Sequence, residues 1–177
     1  VYQSLSRPRE RSDALNNAGV AMVELGRPLA AASSLRRALE LRSAQGSPTR
    51  IATSGYNLAR ALADAGRIGQ ALSAYEVAAR GYRGAGADKE ARETLIERLA
   101  LLARDGQVAD FEKAAAMLVE ELDTANPDEV ELLAAVWFEI GRGRYRFEQQ
   151  ESALSAYARS LSLWRQVGSR LEEGQVL

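Results

Sequence analysis

The sequence predicts an all-α fold of about four antiparallel helical hairpins, followed by the start of a further helix. Three observations carry the prediction. Ala, Leu, Arg and Glu, all good helix formers, dominate the 177 residues, while Val, Ile and Thr never gather into alternating runs. The chain resembles itself at intervals of 40 or 41 residues. Glycines and prolines fall between the apolar-periodic stretches, where chain reversals belong.

The elements follow in order. After a polar lead-in over 1–12, the first helix carries Leu15, Ala18, Gly19 and Met22 at helical spacing. The turn Glu24-Leu25-Gly26-Arg27-Pro28 closes it, with Gly26 as the left-handed stop and Pro28 opening the next helix. The second helix presents Ala31, Leu35 and Ala38. The second hairpin repeats this scheme, with Leu58-Ala59 for Ala18-Gly19, the turn Asp64-Ala65-Gly66-Arg67-Ile68, and Ala71, Tyr75, Ala78. Small Ala at the first site brings the two helices close, and the bulky residue four later fills the space beyond. The fourth hairpin offers Ile140-Gly141, then Ala153, Tyr157 and Leu161, with Trp137 in the bulky core slot. Helices are predicted over roughly 13–25, 28–44, 49–65, 68–83, 88–105, 108–124, 128–146 and 150–167. Gly46, Gly86, Pro127 and Gly168 mark the returns. The repeats run over 13–47, 48–87, 88–126 and 127–167, and 168–177 reads as the start of a fifth repeat or a capping helix.

The third repeat diverges. Its small pair is read as Leu99-Ala100, and its turn, Asp105-Gly106-Gln107, then comes one residue early. Its second helix offers Ala114, Ala115 and Ala116 with no single anchor. In the fourth repeat, Arg144 stands in an apolar slot.

These repeats resemble the tetratricopeptide family, in the longer class of about 40–42 residues seen in kinesin light chains and bacterial signalling proteins. The residues that carry the resemblance are Trp137-x-x-Ile140-Gly141, Gly66 with Ala71, Tyr75 and Ala78, and Asn16-Asn17-Ala18-Gly19. It covers 13–167 and implies a right-handed α-α superhelix. It also implies that first helices line a concave groove for an extended peptide or partner helix. Helical spacing from the core stripe assigns that face to Asp13, Asn17, Val20 and Glu24 in repeat one, and to Thr53, Asn57, Arg60 and Asp64 in repeat two. Thr94, Arg98, Leu101 and Asp105 follow in repeat three, and Ala135, Glu139, Arg142 and Arg146 in repeat four; Tyr56 and Phe138 flank the strip.

Asn17 and Asn57 share one repeat position, although Asn disfavours helix interiors. A side-chain amide both donates and accepts, which suits gripping a peptide backbone, and relatives in this class use Asn there for that purpose. The alternative is that each Asn bonds a neighbouring helix or meets water. Arg60, Arg98, Arg142 and Arg146 form a ladder of forked donors for carboxylate or phosphate. Against that, Asp64, Glu97, Asp105 and Glu139 lie on or beside the same face, as on a solvated surface. The candidate partner-binding residues are therefore Asn17, Tyr56, Asn57, Arg60, Arg98, Glu139, Arg142 and Arg146.

Other chemistries find little support. The chain has no Cys and no His, which removes disulfides, Cys/His zinc sites and imidazole-based triads. The acid pairs Glu120-Glu121 and Glu129/Glu131 lie near helix ends with no positioned partner. Gly84-Ala85-Gly86 follows no strand, and Lys89 stands where a dinucleotide loop needs glycine. The reading is non-enzymatic, with no cofactor and no metal. A formal charge of −1 offers no basic excess for direct nucleic-acid binding. The longest apolar run, Leu132–Phe138, is far too short for a bilayer. Absence of Cys fits a cytoplasmic location, and 21 Arg against Lys89 and Lys113 fits a GC-rich bacterial genome. A start without Met and an end inside a helical pattern read as part of a longer protein.

The expected function is a protein-interaction scaffold. A ligand- or peptide-sensing regulatory domain of a larger bacterial signalling protein or transcriptional regulator is the first alternative. Self-assembly through array ends, giving a homodimer, is the second.

Overall fold

The computed structural model describes residues 7–122 and 126–168, except for the side chains of 127 and 128. Among these residues there are eight helices and no strand: α1 (Pro8–Glu24), α2 (Pro28–Gln45), α3 (Pro48–Asp64), α4 (Ile68–Gly84), α5 (Asp88–Arg104), α6 (Val108–Glu121), α7 (Pro127–Arg146) and α8 (Gln150–Val167). The fold is all-α, with consecutive helices packing on one another as in an α-α solenoid. The expected start of a fifth hairpin falls, beyond Gly168, outside the described residues.

The helix starts show a finer rhythm than the sequence periodicity did. From α1 to α6 they stand at 8, 28, 48, 68, 88 and 108, one every 20 residues. Pro at the first helical position opens α1, α2 and α3, where its missing N–H leaves no bond unmade. Pro8, with Glu10 in the first turn, also explains why α1 begins inside the expected lead-in rather than at 13. The turns repeat one bonding scheme. The N–H of Arg27, Arg67, Ala87, Gln107 and Gln149 each reaches back to the carbonyl of Met22, Leu62, Tyr82, Leu102 and Arg144. The residue before each has positive φ: Gly26, Gly66, Gly86, Gly106 and, uniquely for a side-chain-bearing residue among those described, Glu148 at 60°.

That rhythm corrects the third repeat. Helix start and turn glycine both advance by 40 from α3 to α5, so Arg98-Leu99, not Leu99-Ala100, stands in register with Leu58-Ala59. Leu99 is fully buried, as Ala59 is.

The chain divides within α5 into two compact units, Val1–Thr94 and Leu95–Leu177. In the first, α1 packs on α2, α2 on α3 and α3 on α4, and α1 also meets α3. Small residues let its helices approach closely: a Cβ on Gly19 would lie 2.4 Å from Leu35 Cγ, a small-into-large contact, and one on Gly55 would lie 3.4 Å from Ala78 Cβ, where small meets small. Ala31, Leu35, Ala38, Ala71, Tyr75 and Ala78 are all buried. The face that α1 buries is Ser12, Asn16 and Gly19; Leu15 is half-buried and Ala18 exposed, which rotates the expected stripe.

In the second unit, α6 packs on α7 and α7 on α8. The anchor missing from α6 is Phe111, which is 0% exposed, with Ala115 and Leu118 at i+4 and i+7. The small-large-small order of α2 and α4 is inverted here to large-small-large. Gly143 on α7 accommodates the inversion, because a Cβ there would lie 2.2 Å from Phe111 Cζ. Phe147 closes the pocket edge-on at 5.3 Å between centroids. Gly141 makes the same allowance for Tyr157, at 2.6 Å. Arg144 is no intruder in an apolar slot. It forks onto Glu112 of α6, Nε to Oε1 at 3.1 Å and Nη2 to Oε2 at 3.0 Å. Trp137 departs from its expected place in the core: it is half-buried, with the Arg159 guanidinium 4.5 Å above its ring, while Val136 and Ile140 take the interior.

Candidate interaction face

In the first unit a polar network joins α1, α2 and α3. Arg42, near the end of α2 and only 6% exposed, donates to Asp13 Oδ1 at 2.8 Å, Ser54 Oγ at 2.8 Å, Asn16 Oδ1 at 3.3 Å and the Arg50 carbonyl at 3.0 Å. Arg50, in the first turn of α3, also donates to Asp13 Oδ1 and to Ser12 Oγ at 3.0 Å. The Arg50 contact, followed by that of Arg42, holds the Asp13 carboxyl below the usual carboxylate range. Asn16 Oδ1 accepts three donors: Arg42, Ser54 Oγ at 3.1 Å and Asn57 Nδ2 at 3.2 Å. A buried guanidinium is tolerable only when paired and bonded in this way.

This network places the two candidate amides. Asn57 is half-buried and spends an amide proton on Asn16; Asn17 is exposed, with its Oδ1 3.5 Å from the Asn16 amide. Both therefore touch Asn16, the member of the Asn16-Asn17 doublet that faces inward. The sequence left this pair unread, although Ser12 and Asn16 at i, i+4 on a buried face are its signature.

Beside Asn57, the Tyr56 ring stands edge-on to Tyr75 at 6.0 Å, and the exposed Arg60 guanidinium lies 5.9 Å from the Tyr56 centroid. In the second unit the same set recurs 82 positions later. Phe138 meets Tyr157 at 5.9 Å, and Arg142 lies 5.9 Å from the Phe138 centroid. Arg142 also donates to Glu139 Oε1 at 2.8 Å. Glu139 is pushed above the ordinary carboxylate range, first by burial and then by Glu97, with Arg142 and Arg146 opposing. Burial likewise raises the Tyr157 hydroxyl. Arg146 is exposed at the end of α7.

Arg98 does not join this face as expected. It takes the register of Leu58 and is half-buried, while Thr94 and Leu101 of the same predicted strip are buried. The one-residue correction instead puts Glu97 in register with Asn57 and Glu139. Tyr56, Asn57 and Arg60 thus gather on α3 beside Asn17 of α1, and Glu139, Arg142 and Arg146 on α7. Among the described residues no group of three or more His, Cys, Asp or Glu side chains is placed to hold a metal, and no helix is long and apolar enough to cross a membrane.

The family described as soluble NSF attachment protein, SNAP, matches residues 1–126, the stretch from α1 through α6. This chain belongs to the soluble NSF attachment protein family. SNAP proteins are α-helical, tetratricopeptide-like repeats, so the resemblance read from the sequence holds at the level of the helical repeat. No curated protein matches the chain. A SNAP-type helical repeat points to a scaffold for protein partners, in which exposed side chains on a rigid frame make the contacts.

Proposed function

We propose that the chain is a non-catalytic scaffold that binds an extended peptide or a partner helix along the first helices of its hairpins, in the manner of the longer 40–42-residue tetratricopeptide repeats. The observation that carries this is the recurrence of an Arg-capped ring on α3 and α7, Arg60 on Tyr56 and Arg142 on Phe138, in one register and solvent-facing. A guanidinium held over a ring is a preorganised contact, and Arg and Tyr are enriched where binding energy concentrates. Asn17 borders the α3 set and offers an exposed amide. The repeats read from the sequence, at 13–47, 48–87, 88–126 and 127–167, are the proposed binding modules, acting in the cytoplasm on protein partners without direct nucleic-acid contact.

The test is retention of partners from an extract of the source organism, read by mass spectrometry, with wild type beside an Asn17→Ala/Asn57→Ala double variant. Because Asn57 also docks on Asn16, circular dichroism must first show both proteins equally folded. A partner held by wild type and lost by the variant is the expected result. Equal recovery would move binding off this face.

A further inference from the structure

We infer that the Arg60 guanidinium receives a side-chain carboxylate from an acidic segment of the bound polypeptide, and that the residue in register with Asn57 decides which hairpin offers such a site. The inference rests on the scaffold reading above and specifies its partner's chemistry. Its basis is a comparison internal to the molecule. On α3 and on α7 an aromatic ring carries an arginine four residues later, with 5.9 Å from guanidinium carbon to ring centroid in both places. A tyrosine of the following helix, Tyr75 or Tyr157, backs each ring at 6.0 or 5.9 Å. The two sites differ in the residue next to the ring.

In the second unit that residue is Glu139, and its Oε1 accepts from Arg142 Nη1 at 2.8 Å. The Glu139 side chain is 13% exposed, so the guanidinium is occupied by a nearly buried carboxylate from its own helix. In the first unit the residue is Asn57, uncharged and turned toward Asn16. Among the described residues Arg60 has no carboxylate within ion-pair distance, not even Asp64 one turn further along α3. The geometry of the second unit therefore displays the filled form of an arrangement that the first leaves open, with Glu139 standing where a partner's carboxylate would sit. The ring beneath Arg60 already limits its freedom and its hydration on one face, so less is lost when a carboxylate engages the remaining donors.

The experiment uses the full chain at low ionic strength and two probes in calorimetric titrations. One is a short oligoglutamate blocked at both termini; the other is an oligoglutamine of the same length with a free C-terminal carboxylate. Wild type should bind the oligoglutamate at one site. Arg60→Gln, an exposed change, should weaken that binding by about tenfold or more, as expected for losing a charged hydrogen-bond donor. Glu139→Asn should free Arg142 and raise the stoichiometry from one to two. Unchanged affinity in Arg60→Gln, or a stoichiometry held at one in Glu139→Asn, would overturn the inference. So would binding of the oligoglutamine alone, which would assign the ligand to a chain terminus. A chain that ignores oligoglutamate yet keeps a partner through Asn17 and Asn57 sinks this inference and leaves the scaffold standing.

Discussion

Glu148 occupies the left-handed turn position that Gly26, Gly66 and Gly106 fill in the preceding hairpins, with φ of 60° against 68°, 70° and 75°. A side chain there crowds its own backbone, whereas glycine does not. Glu148→Gly should raise stability by about 1 kcal/mol, the strain relieved exceeding the unfolded-state entropy that glycine adds; a lowered urea midpoint would refute this. Two carboxylates make opposite pH predictions. Asp13 is depressed by Arg50 and Arg42, so its contribution is present above the ordinary aspartate range and lost as pH falls through its folded value. Glu139 is raised by burial, so stability declines as pH climbs from the ordinary glutamate range through its folded value. Melting temperature followed against pH should lose acid sensitivity in Asp13→Asn and lose the decline above the glutamate range in Glu139→Gln.

The helices differ in what they bury, and the differences decide how each tolerates change. Gly143 on α7 faces Phe111 of α6 at a distance no methyl group can share. Alanine gains about 1 kcal/mol of helix propensity, but overpacking a fully buried ring costs about 1–3 kcal/mol, so Gly143→Ala should be destabilising by calorimetry. The same argument applies to Ala71, fully buried on α4, where Leu should cost about 1–3 kcal/mol. Trp137 is the contrary case. A fully buried Trp truncated to Ala loses about 3–5 kcal/mol, yet this ring is half-buried beneath Arg159. Trp137→Ala should fall below that range, and a double-mutant cycle with Arg159→Ala should return a coupling of about 0.5–1 kcal/mol.

At the scale of the molecule, stability is a sum of helix-on-helix interfaces rather than one shared core. α1 is held differently from its neighbours: its buried side chains are Ser12 and Asn16 beside Gly19, against Leu58, Leu62 and three alanines on α3. Polar burial holds α1 by geometry rather than by apolar area, and each bond only replaces one made with water. Amide hydrogen exchange should therefore open α1 before α3. Asp13→Asn should widen the gap, since Asp13 ties α1 to both α2 and α3. Uniform protection across both helices would show that the network binds α1 as firmly as apolar packing does.

The sequence by itself determined the elements: helix formers, Pro at helix starts and Gly at returns are local causes, and they fix local structure. It also determined the recurring small and bulky slots, Gly19 and Leu35 in the first hairpin and Gly141 and Tyr157 in the fourth, because such slots leave a mark in both helices of a repeat. That each glycine meets its bulky partner was decided by the tertiary packing. Tertiary structure decided what depends on which side of a helix meets a neighbour. Rotation of α1 turned Asn16 inward and Asn17 outward, a distinction invisible in an Asn-Asn doublet. The steady 20-residue spacing of helix starts moved Arg98 off the expected face and put Glu97 there. Phe111 and Gly143 exchange sizes across an interface, so neither looks like an anchor until the two are seen in contact. A one-residue step turns a helix by about 100°, and periodicity blurred by that much still yields the fold but loses the face.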